Sequence, residues 1–106
     1  MSQQRIAKLQ EFLNEDSNDS FSRFALALEH LKLDDVNTAR SHFEYIRDHH
    51  PGYVGVYYHL GKLYQQSGEH KKASTTFIAG ISVAQNENDL HAASELEQAL
   101  KDLNEE

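Results

Sequence analysis

Apolar positions recur every three or four residues along nearly the whole chain, and no stretch shows the two-residue alternation of a half-buried strand. The pattern predicts six helices. Ile6, Leu9, Phe12 and Leu13 share one face of a first helix that ends near Asn14, and the polar stretch 16–20 then breaks it and offers N-cap side chains. A second helix, from about Ser20 to Leu33, carries Phe21, Phe24, Leu28 and Leu31 on one stripe with Leu26, Ala27 and His30 beside it. Asp34 and Asp35 end it. A third helix runs through Ala39, Phe43 and Ile46 to His49, where His50, Pro51 and Gly52 stop it because proline lacks the amide that would continue the ladder.

The fourth helix spans Tyr53 to Gln66, with Gly68 as a left-handed stop. The fifth runs from about Glu69 to Ala84 and turns Ala73, Phe77 and Ile81 inward. Asn86 to Asp89 are turn-forming and able to cap. The last helix directs Leu90, Ala93, Leu96, Leu100 and Leu103 toward the protein and His91, Glu95, Gln98 and Lys101 away from it.

The sequence matches itself at an offset of 34: Leu26 falls on Leu60, Ala27 on Gly61, Ala39 on Ala73 and Phe43 on Phe77. A two-helix unit repeating at that interval predicts a solenoid. Ala27, Ala39, Gly61 and Ala73 are small where antiparallel helices cross closely, and Phe43, Tyr57, Tyr64 and Phe77 fill the space around those crossings. The fuller copy reads Tyr57, Leu60-Gly61 and Tyr64, then Ala73 and Phe77, with Pro51 ahead of it. This resembles the tetratricopeptide repeat. The earlier copy departs from that pattern with Arg23 in place of an aromatic, His30 in place of tyrosine and Asp34 in place of glycine. Aspartate tolerates the left-handed conformation, so the last departure is mild.

The resemblance implies an all-α, right-handed α-α superhelix of six antiparallel helices in a single domain. Its expected parts are an N-terminal half-repeat helix over 1–15, repeats over 20–53 and 54–87, and a C-terminal capping helix over 88–106. It also implies that the first helix of each pair lines a concave groove for a peptide or partner helix. The groove residues would be Phe24, Leu28 and Leu31 from the second helix, forming an apolar wall, and Tyr58, His59, Lys62 and Gln65 from the fourth, forming a mildly basic one. Lys62 would favour an acidic ligand. The family's clamp for C-terminal carboxylates uses Lys, Asn and Arg, whereas this chain has Phe24, Leu28, His59, Asp89 and Ala93 at the matching places, which opposes that use.

Composition narrows the alternatives. The 106 residues hold 10 Lys and Arg against 17 Asp and Glu, a formal charge of -7, which opposes binding to a phosphate backbone or an anionic membrane surface. Without cysteine there are no disulfides, thiolate nucleophiles or cysteine-ligated zinc. The start of the chain carries no apolar signal segment, and the longest apolar run is Phe24 to Leu28, so a soluble, cytoplasmic protein is expected.

Seven histidines raise a metal reading, yet His42 and His49 lie two helical turns apart, Tyr45 and Ile46 hold the ligand-spaced places after His42, and Glu44 and Asp48 point away. The expectation is solvated histidines that complement a helix end, with no resident metal or cofactor. Ser20, Ser22 and Ser41 lack a nucleophile context, and no glycine-rich loop follows a strand. The reading is a non-catalytic protein–protein interaction module. Homo-oligomerisation is the first alternative, because two full units offer little groove of their own, and a histidine-based metal-binding protein is the second. Ile6, Leu9 and Phe12 are expected to cover Phe21, Phe24 and Leu28, and an open stripe of Phe24, Leu28 and Leu31 would instead mark an interface, with self-association as plausible as a foreign peptide.

Overall fold

A computed structural model describes residues 2–106. Met1, part of the expected half-repeat, lies outside the described residues. Among the described residues there are six helices and no strand: α1 (Ser2–Glu15), α2 (Ser20–Lys32), α3 (Val36–His49), α4 (Gly55–Gln66), α5 (His70–Asn86) and α6 (Leu90–Asn104). The chain divides into two units, one up to His50 and one from Pro51 onward. That division falls three residues ahead of the expected repeat boundary at 53/54.

Three helix connections are built alike. Asp34, Gly68 and Asn88 adopt left-handed backbone angles, with φ of 58°, 79° and 61°. In each case the next amide turns back to a helix carbonyl five residues earlier: Asp35 to His30 at 2.9 Å, Glu69 to Tyr64 at 2.8 Å and Asp89 to Ala84 at 2.8 Å. This closure satisfies carbonyls that a helix end leaves without partners. The residue that ends one helix then caps the next. Asp35 accepts from the Thr38 amide at 3.4 Å and Asp89 from the Ala92 amide at 3.0 Å. Glu69 makes no such cap bond, its carboxylate being engaged by the Ser67 hydroxyl at 2.9 Å and Lys72 at 3.2 Å. At the start of α2, Asp19 accepts from both the amide and the hydroxyl of Ser22, and these bonds hold its carboxyl below its usual range.

In the first unit α2 packs against α1 and α3. Ile6, Leu9 and Leu13 of α1 cluster with Ala25 and Leu26 of α2. Buried Glu29 adds a polar tie, its carboxylate 3.4 Å from Arg5 on α1 and 3.0 Å from Lys32. Ala27, Ala39, Phe43 and Ile46 are fully buried. Two expectations are corrected here. Phe12 is 41% exposed, because at about 100° per residue it sits roughly a quarter turn off the face shared by Ile6, Leu9 and Leu13. Nor does α1 cover the stripe of α2: Phe21 is 71% exposed, while Phe24, Leu28 and Leu31 are half-buried. The apolar side of α1 meets the Ala25–Leu26 side of α2, which points elsewhere on the helix.

In the second unit α4, α5 and α6 all pack together. A Cβ built on Gly61 would overlap the ring of Phe77, and one on Gly80 would overlap Tyr57 and come within 3.0 Å of Leu96. The Tyr57 hydroxyl donates to the Pro51 carbonyl. Helix α4 starts at Gly55, two residues later than the sequence predicts, because residues 51–54 form a turn in which Tyr53 and Val54 only supply carbonyls to Val56 and Tyr57. Leu90 is corrected outward at 71% exposure, standing in the first turn of α6, and Ile81 and Leu100 are half-buried.

Candidate functional site

The α4 candidates are spaced by four and three residues, so Tyr58, Lys62 and Gln65 form one stripe along the helix. On α6, Glu95, Gln98, Ala99 and Asp102 form another by the same spacing. Tyr58 and Lys62 line one side of a cleft of about 200 Å³, and these four residues line the other. Across the cleft, Tyr58 supplies a partly exposed ring, Ala99 a small apolar floor and Gln98 an amide that donates to Asp102 at 2.9 Å.

The remaining α4 candidates also turn toward α6. His59 is half-buried, and its ring meets that of Tyr58 edge-on at 5.8 Å. Burial disfavours its imidazolium and pushes the pKa down, with the Glu95 carboxylate acting the other way. Gln65 donates to the Glu106 side chain, which His70 meets at 2.9 Å. Those two bonds hold the Glu106 carboxyl below its ordinary value, helped by the charge of Lys62. The carboxylates near Lys62 make this wall less basic than the α4 residues alone imply.

The α2 candidates have a different setting. Phe24 packs its ring on Phe43 with centroids 5.6 Å apart, and Leu28 and Leu31 stay half-buried near it on the same helix. Beside them runs a polar column. The Arg23 guanidinium lies 3.8 Å over the Tyr45 ring, His49 stacks on Tyr45 at 3.9 Å, and Arg23 Nη1 is 3.3 Å from His42 Nδ1. The His30 ring is 6.0 Å from that of His42, and its Nδ1 is 3.2 Å from Asp35, an ion-pair distance in a geometry that makes no hydrogen bond. His42 is therefore half-buried instead of solvated, and burial, Arg23 and His30 together lower its pKa. Among the described residues no three His, Asp or Glu side chains are grouped to hold a metal ion. His42 Nδ1 already faces Arg23, and His49 Nδ1 lies 2.9 Å from the Tyr45 carbonyl.

Glu95 and Gln98 are site residues that sequence reasoning placed on the solvent side, and Asp102 is one that it did not single out. A signal for them exists. A shift of 36 in place of 34 aligns Tyr57, Leu60 and Leu63 with Ala93, Leu96 and Ala99, all of them buried. Helix α6 therefore meets α5 as α4 does, and its outer stripe faces the one on α4.

No described helix is long and apolar enough to cross a membrane. The tetratricopeptide repeat profile matches residues 30–96. A tetratricopeptide repeat domain protein from Salinibacter ruber, solved in solution, is 43% identical, covering 83% of this chain and 89% of that one with a TM-score of 0.79. Its crystal structure gives the same identity and TM-score over 81% of this chain and 97% of that one. A protein from Bordetella parapertussis, 24% identical over 94% of this chain and 87% of its own, shares the fold with a TM-score of 0.78. No protein of curated function matches the sequence. Over 67 of its 106 residues the chain carries the family's pattern, and it belongs to the tetratricopeptide repeat family.

Proposed function

We propose that the chain is a non-catalytic protein–protein interaction module and that the α4–α6 cleft of the second unit is its main docking surface. Family membership supports the general reading, since the fold suggests such a module. The observation that carries the specific one is the pair of facing stripes, Tyr58 and Lys62 against Glu95, Gln98, Ala99 and Asp102, around one open cleft. Tyr58 serves as the anchor, because a half-exposed aromatic ring gives much contact area for little lost side-chain freedom. His59 and Gln65 orient the ligand from the same helix. Phe24, Leu28 and Leu31 of the first unit supply a separate apolar contact.

Pull-down from the source lysate compares the wild-type chain with a Leu28→Glu, Tyr58→Ala double variant. Loss of specific partners is expected, and identical recovery would sink the proposed surfaces. One observation favours a second reading, homo-oligomerisation: the first unit exposes two large aromatic side chains, Phe12 and Phe21. Light scattering decides it, since a mass that stays monomeric at every concentration removes this reading.

A further inference from the structure

We infer that the occupant of the α4–α6 cleft is a basic segment, a Lys or Arg side chain of the partner entering between Glu95 and Asp102. The inference rests on the docking role proposed for that cleft and adds the chemistry of the ligand. Considered alone, Lys62 predicts an acidic ligand. The complete lining reverses the sign, with two carboxylates, one ammonium and the neutral groups of Tyr58, Gln98 and Ala99.

Neither carboxylate is neutralised by a lysine or arginine among the described residues. Glu95 has His91 at 3.8 Å, at the long limit of an ion pair, and the half-buried His59 ring within electrostatic reach, and Asp102 accepts from the neutral Gln98 amide. A guanidinium or ammonium entering the cleft meets three complementary features. The carboxylates attract it, the face of Tyr58 offers a cation–π surface, and the small Ala99 leaves room for the aliphatic stem. The first unit already makes such an aromatic pairing internally, with Arg23 over Tyr45 at 3.8 Å. At longer range, the formal charge of -7 draws a basic partner in and repels an acidic one. Lys62 then acts as a gatekeeper that weakens a cation's hold and restricts the cleft to ligands placing their charge on the α6 side.

The probe is a fluorescein-labelled octapeptide of alternating Arg and Ala, compared with its Glu and Ala counterpart by fluorescence anisotropy at low ionic strength. Amide shifts in a nitrogen-15 correlation spectrum give the location. The basic peptide is expected to bind and to shift Tyr58, Lys62, Glu95, Gln98 and Asp102, while the acidic one does not bind. A Glu95→Gln, Asp102→Asn variant should bind roughly tenfold more weakly, as expected for the loss of two solvent-accessible ion pairs. A Glu11→Gln, Glu15→Gln variant on α1 changes the net charge equally and should lose less than about twofold. Lys62→Met should tighten binding, a gain that damage to the fold would not produce.

The inference is overturned if the basic peptide fails to bind, if the acidic peptide binds at least as well, or if the α1 variant loses as much as the cleft variant. Its failure is distinguishable from failure of the docking role itself. If pull-down still depends on Tyr58 but ignores Glu95 and Asp102, the cleft is used by other chemistry. If pull-down ignores Tyr58 as well, both readings fall.

Discussion

In the second unit Tyr57 of α4 lies against Gly80 of α5, so closely that no Cβ fits there. The first unit has Arg23 and the fully buried Ile46 at the positions thirty-four residues earlier, and Tyr45 stands where the second has Ala79. Bulk has moved from the first helix of the pair to the second. Where α5 is small, an aromatic ring on α4 fills the gap. Where α3 is large, the flexible arginine of α2 sets its guanidinium over the Tyr45 ring. The other crossing is shared in its residue sizes: Gly61 meets the Phe77 ring, and the fully buried Ala27 and Phe43 hold the matching places thirty-four residues earlier. A repeat of this kind therefore fixes the volume at a crossing and not which helix supplies it.

The strongest way to break the shared crossing is Gly61→Leu. Alanine at a helix interior is worth about 1 kcal/mol more than glycine in intrinsic preference, but here even a Cβ meets the Phe77 ring. The leucine variant should lose about 3 kcal/mol or more, measured by urea unfolding, because the pair must separate to admit it. A loss below about 1 kcal/mol would mean that Phe77 moves aside freely.

The exchanged crossing is tested by moving the solution of the first unit into the second. Gly80→Ile alone should cost about 2 kcal/mol by overpacking against Tyr57, and adding Tyr57→Arg should restore about 1 kcal/mol of it. Strict additivity of the two changes would show that the bulk of the two positions is not coupled.

The smallest effect is a pH dependence that differs between the units. His42 has its pKa lowered by burial, by the Arg23 charge and by His30, and His59 by burial, with Glu95 opposing. Both folded values lie below the ordinary 6.5, so as pH falls below 6.5 the unfolded chain binds protons that the native units resist. Stability should drop with acidification in that window and be insensitive to these groups above it. The Asp35 carboxylate lies beside His30, one ring further from His42, and does not cancel the trend there. Replacing His42 with Gln should flatten the fall between pH 7 and pH 5 by less than about 1 kcal/mol, given the solvent screening at a half-exposed ring. His59→Gln should flatten it less. An equal response of the two variants would remove the distinction between the units.

Much of this was legible from spacing alone. The self-match at 34 identified both helix pairs, their small and large positions, and the left-handed bends at Asp34 and Gly68. Depth was harder to read. Phe12 falls a quarter turn off the buried face, and Leu90 obeys the helical period yet stays exposed, because periodicity marks a direction around the axis and not whether another helix lies in that direction. Half of the cleft was visible as Tyr58 and Lys62. The other half was hidden because α5 is longer than α3 and the connection after it shorter, so that α6 leaves the 34-residue register and its facing stripe looks like solvent decoration.

The bends at Asp34, Gly68 and Asn88 have a consequence for how such a chain can change. Each rests on one left-handed residue, main-chain bonds back into the helix just ended and side-chain bonds within a few residues of the bend. New recognition chemistry can accordingly accumulate along a helix by single substitutions without disturbing the angle at which that helix meets its neighbour across the bend. A hairpin with a new ligand preference could be grafted between these joints as an interchangeable cassette.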